Sequence, residues 1–216
     1  MIRNDYILRL IDLLGVFIAK LMLQVERGEL VGAKEEADAI SRKIVGLPLA
    51  DLESNPAEGL VSLLSAAVGP DYPRIMAAGI ILDARAQVAC QEADEVTAFR
   101  LWTSSASLLI TGACSLNEEI SDRCHQHLEE VMRRLTEYEI PACLHLALAE
   151  HYEACGRFSR AEDHVYEGLQ DDPERVAKWR AFFKRLEQLS DAELEAGNLS
   201  RGEVRQSLSD LVSGDP

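Results

Sequence analysis

Among the 216 residues of the chain, the densest group able to ligate a metal or move a proton is Asp122, Cys124, His125 and His127, with Glu129 beside them. Asp122, His125 and Glu129 stand three and four residues apart, which puts them on one face of a helix. Such a face holds a divalent cation when a second ligand set of matching spacing meets it. The sequence supplies no such set, so the expectation is a solvated face opposite a core stripe, with a metal site, a small-molecule site or an enzyme centre in this region as the rival. His151 and Cys155 are one helical turn apart, the spacing at which a histidine can activate a thiol. Cys155 sits just before a helix turn and Tyr152 fits the packing position, so structural packing with an exposed His151 is expected instead. The acidic pairs Glu35-Glu36, Glu118-Glu119 and Glu129-Glu130 follow helix surfaces and read as solvated charge. Gly28, Gly32 and Gly46 are too scattered for a phosphate loop, and no G-x-S-x-G, H-E-x-x-H or D-x-D-x-D-G string occurs. No enzyme, cofactor or metal is expected.

The elements that carry these residues read as helix nearly throughout, with no sustained period-two alternation that would mark a strand. The first helix, about Asp5 to Arg27, keeps its polar residues Arg9, Asp12, Lys20, Gln24 and Arg27 on a narrow face. Its apolar arc (Ile7, Leu8, Leu10, Ile11, Leu14, Phe17 and onward to Val25) is wider than one neighbour covers. Burial within the chain, a homodimer seam through Leu10, Leu14, Phe17 and Leu21, and adsorption to a membrane surface compete to explain it, and the mixed charge of the polar face argues against the last. A second helix runs to Val45. Asn55 with Pro56 opens a short helix to about Val68, and Gly69, Pro70, Asp71 and Pro73 form a break. Helices at about Arg74 to Gln91 and Glu95 to Ile110 follow. Ser115 with Glu118 reads as a capping box opening a helix to Glu139, and the pairs Ser190/Glu193 and Ser200/Glu203 read likewise. Asp172 and Pro173 cap a further helix. No Gly/Ser/Pro-rich linker separates two halves, so residues 1–216 read as one domain whose weakest point is Leu47 to Pro73.

The charge of −15, from 37 acidic against 22 basic residues, disfavours nucleic acid and anionic lipid and favours basic or amphipathic partners. Five cysteines without a Cys-x-x-Cys pair are not a disulfide framework. The longest uncharged apolar run near the start, Leu13 to Ala19, is seven residues, well short of the roughly 20 a membrane span needs. With no signal-peptide pattern, a cytoplasmic location is expected.

Residues 142–173 resemble a tetratricopeptide repeat: Leu148-Ala149, Tyr152, Gly156, Phe158, Ala161, Gly168-Leu169 and Pro173 fall at its spacing. Weaker copies are aligned at 14–47 (Phe17, Leu21, Gly28, Leu30, Ala33) and 79–112 (Ala86, Ala89, Ala93, Glu95, Ala98, Trp102). The turn positions Gly28, Ala93 and Gly156 stand 65 and 63 residues apart, about two repeats of ~34 each. The intervening 47–71 and 112–139 each read as a single irregular helix, and 173–212 as capping helices. The opening Asp-Tyr-Ile-Leu-Arg-Leu-Ile followed by a helix pair is similar to a bacterial family of unknown function. The repeat resemblance implies an all-α superhelix of stacked hairpins whose first helices line a concave face. The positions here would be Ile18, Met22 and Glu26; Asp83, Gln87 and Gln91; and Leu146, Glu150 and Glu153. They are acidic, apolar or Gln where some members of that family hold a peptide carboxylate with Lys and Asn, so a basic or amphipathic helical segment is the expected ligand.

Overall fold

Helical periodicity along the sequence becomes helix along most of the chain in the computed structural model, which describes residues 2–66, 69–115, 117–168 and 176–213. Two units form, residues 1–139 and 140–216. The weak point expected at 47–73 therefore lies inside the first unit.

In the first unit, α1 (Ile2–Glu26) buries Ile7, Leu10, Ile11, Leu14, Phe17 and Leu21. These positions recur every three or four residues, so they form one stripe, and α1 packs on α2 (Leu30–Ile40) and α5 (Tyr72–Gln91). A single π turn, Ser41–Val45, extends α2 and stops at Gly46, where φ is +77°. The Arg74 side chain donates from Nε to the Val45 carbonyl at 2.8 Å and satisfies one of the carbonyls orphaned at that end. The stretch expected to be one irregular helix holds two, α3 (Leu49–Ser54) and α4 (Ala57–Leu63), followed by a two-residue antiparallel bridge of Ser65–Ala66 with Gly69–Pro70. Two prolines explain the division. Pro48 and Pro56 lack an N–H and sit in extended conformation before the first turns of α3 and α4.

The centre of this unit is the hairpin of α5 and α6 (Glu95–Ala113). Asp71 and Asp94 cap the two helices by accepting from the backbone N–H groups of Arg74 and Thr97. Gly79 admits the close approach: a Cβ there would lie 3.0 Å from Leu109 Cγ, and Ser105 Oγ donates to the Gly79 carbonyl at 2.7 Å. The last helix, α7 (Glu118–Leu135), buries Ile120, Cys124, Leu128, Val131 and Leu135 along one stripe. Its cap differs from the expected capping box. Asn117 accepts from Ile120 N at 3.1 Å, and Ser115 instead accepts from Asn117 N.

In the second unit, α8 (Ala142–Ala154) and α9 (Phe158–Gly168) form a hairpin that buries Leu144, Leu148, Ala149 and Tyr152 with Phe158, Ala161 and Val165. Helices α10 (Val176–Leu186), α11 (Asp191–Ala196) and α12 (Arg201–Ser213) complete it, with Trp179, Phe182, Phe183 and Leu186 inward. Both capping boxes expected here are present, Ser190 with Glu193 and Ser200 with Glu203. Leu169 and the expected cap at Asp172 and Pro173 lie outside the described residues. Gly197 faces Phe158 so closely that a Cβ would stand 2.6 Å from the Gly156 carbonyl oxygen.

The three residues aligned as turn positions share one backbone conformation: φ is +73° at Gly28, +58° at Ala93 and +68° at Gly156. This left-handed turn ends a helix and reverses the chain. Among the described residues, no helix is long and apolar enough to cross a membrane.

Candidate functional site

The α7 cluster does not converge. Cys124 points into the core, where its Sγ lies 2.6 Å from the position a Cβ on Gly112 would take, and burial pushes its thiol up to about 12. His125 folds back on its own helix, with Nδ1 2.7 Å from the Ser121 carbonyl. His127 turns toward α1, and Asp122 opens onto the surface beside Glu118 and Glu119. One helix radiates its side chains every 100° or so, which separates neighbours in sequence. His151 is buried, contrary to the exposed position expected, and its Nε2 stands 4.0 Å from Cys155 Sγ.

The positions proposed for a concave face have different environments. Ile18, Met22 and Gln87 are half-buried, whereas Glu26 and Gln91 are exposed. Asp83 is buried. Its carboxylate accepts from Trp102 Nε1 at 3.1 Å and from Gln87 Nε2 at 3.3 Å, and it pairs with Arg134 at 3.2 Å. Burial raises the Asp83 carboxyl above its ordinary value, and the Arg134 guanidinium is the strongest influence pulling it back. Asp83 is thus a tie between α5, α6 and α7. Tyr138 adds to the same corner, stacking on Phe99 with ring centroids 5.3 Å apart. In the second unit Leu146 is half-buried and Glu150 exposed, and Glu153 is occupied by a bidentate pair with Arg185 at 2.6 and 2.7 Å. The seam candidates Leu10, Leu14, Phe17 and Leu21 are all buried within the chain.

Two arrangements were not legible beforehand. In the second unit His145 and His164 face each other across α8 and α9 with their Nδ1 atoms 3.0 Å apart, and Tyr152 stacks flat on His164. Burial lowers both histidines, His164 to about 4, where Arg160 and His145 add to the shift. In the first unit a groove of about 350 Å³ runs between α1, α5 and α7. Ile11, Gly15 and Ile18 line it from α1, Met76 and Ile80 from α5, and Arg123 and His127 from α7, with Asp12 and Val16 at its lip. Each helix contributes residues at three- and four-residue spacing, one face each. Its one advance signal is Gly15, a glycine inside an otherwise uninterrupted helical pattern.

This geometry describes an all-helical protein of neighbouring packed helices. The chain belongs to a family of unknown function, DUF6483, whose pattern matches residues 1–214. No curated protein matches it. No solved structure does either.

Proposed function

We propose that the protein is a non-catalytic, tetratricopeptide-like scaffold that docks an amphipathic helical segment of a partner protein. The observation that carries this is the outer face of α1. Opposite its buried stripe, Tyr6, Val16 and Leu23 are exposed large apolar side chains, Val16 to 68%. With the half-buried Leu13 they alternate along the helix with Arg9, Lys20 and Arg27. Written as a heptad, Tyr6, Leu13, Lys20 and Arg27 fall on one seam position and Arg9, Val16 and Leu23 on the other, the spacing by which one helix receives another. The shared left-handed turns at Gly28, Ala93 and Gly156 support a repeated hairpin design.

The charge on this face refines the partner. The basic ligand expected from the net charge of −15 meets Arg9 and Arg27 here, which form no ion pair among the described residues, while Lys20 is held by Glu36 at 2.5 Å. An amphipathic helix with acidic flanks complements such a face. A second copy of α1 would oppose like charges, and the residues proposed for that seam are internal. Selection of displayed helical peptides against the full chain tests the proposal. Acidic amphipathic sequences should be enriched and should lose about ten-fold or more in affinity on Leu23→Glu, by loss of a buried apolar anchor. Enrichment of basic sequences, or binding indifferent to Leu23→Glu, overturns it.

A further inference from the structure

We propose that the groove between α1, α5 and α7 binds a small anionic amphiphile, an aliphatic chain ending in a single carboxylate. This goes beyond the docking of a helix on the outer face of α1. The floor of the groove is apolar: Ile11 and Ile18 from α1, Met76 and Ile80 from α5. Its volume of about 350 Å³ lies at the small end of the range for small-molecule sites, which suits a chain of medium length.

Gly15 is the second observation. It lies within α1, on the same face as Ile11 and Ile18, and a Cβ added to it would meet nothing within 4 Å. No close packing requires a glycine there, and the helix would be better formed with almost any other residue. What the missing side chain does is leave the groove open at its middle.

The wall supplied by α7 gives the charge complement. Arg123 and His127 stand one turn apart and both face the groove. Arg123 is exposed and forms no ion pair or hydrogen bond among the described residues, although it also lines a surface recess with Glu118, Glu119 and Asp122. His127 is held below its ordinary value chiefly by burial, so near neutral pH it is an uncharged imidazole able to donate one N–H. A guanidinium and an imidazole N–H side by side donate to a carboxylate. Asp12, which lines the groove from α1, repels the head group from that side and so favours the end of the ligand that reaches α7. No bond is made or broken.

The test titrates decanoate, and decanol as its uncharged counterpart, into the full chain by calorimetry. Decanoate should bind at one site per chain, with decanol about ten-fold weaker or more. Arg123→Gln should remove that preference by weakening decanoate alone. Gly15→Leu should abolish binding of both while the melting temperature stays equal or rises, since leucine fills the groove and favours helix. Equal affinity for decanol and decanoate, or decanoate binding untouched by Gly15→Leu, overturns the assignment. Leu23→Glu, which tests the outer face, should leave decanoate affinity unchanged, so the two readings fail separately.

Discussion

Changing Arg134 to Met leaves the Asp83 carboxylate buried without its cation. Asp83 and Arg134 are 3.2 Å apart, and their side chains are 8% and 28% exposed. Removing one member of a buried pair costs roughly 3–5 kcal/mol. Here solvent reaches the guanidinium, and the Trp102 indole and Gln87 amide still donate to the carboxylate. About 2 kcal/mol of lost stability in the first unit near pH 8 is therefore expected. The pH dependence follows from the shift. The folded-state value of Asp83 is already raised above 3.8, and loss of Arg134 raises it further. The folded variant then holds a proton that the unfolded chain releases, so its stability falls as pH climbs from about 4 through that raised value. The deficit against the parent should be small at pH 4.5 and full at pH 8. Urea unfolding followed by Trp102 fluorescence, in a Trp179→Phe background, reads the first unit. Asp83→Asn combined with Arg134→Met should recover most of the loss, since no buried charge remains. A deficit that is the same at every pH, or no recovery in the double variant, refutes the reasoning.

Ala93 occupies a left-handed turn with φ +58°. Ala93→Gly should raise the stability of the first unit by about 0.5–1 kcal/mol, read as a shift in urea midpoint at constant slope, whereas a loss would mean that its methyl group packs. In the second unit the histidines facing each other across α8 and α9 are held below their ordinary 6.5, His164 at about 4. A depressed histidine favours the fold above its unfolded value and loses that contribution as pH falls through 6.5 toward the folded value. Acidifying from pH 7 to 5 should cost this unit at most about 2 kcal/mol through His164, less solvent screening of a half-buried ring, read by Trp179 fluorescence. His164→Gln should flatten that profile, and a profile unchanged by it would place the titration elsewhere.

The helices and most of their ends were legible because their signals are local. Gly28 and Gly156 supply the left-handed turn without steric cost, Ser190 and Ser200 bond their own third residues, and the α7 stripe of Ile120, Cys124, Leu128, Val131 and Leu135 needs only the 3.6-residue period. At the start of α7 the expected cap Ser115 gives way to Asn117, two residues later, which accepts from Ile120 N while Ser115 accepts from Asn117 N. The repeat alignment sets Ala93 at the same offset as Gly28 and Gly156, and all three have positive φ.

The sites were not local. Asp83 stood in the sequence as a groove residue, but it is buried because Trp102 and Arg134, 19 and 51 residues away, turn their donors toward it. Cys124, His125 and His127 were adjacent in the chain and end in a core, a helix backbone and a groove. His145 and His164 were unrelated in the sequence until α8 and α9 paired. A sequence fixes which faces of its helices are apolar, because that is set by a repeating angle of the backbone. Which faces meet, and so which polar groups lose water and find partners, is settled only when distant helices pack, because desolvation and hydrogen bonding depend on neighbours in space.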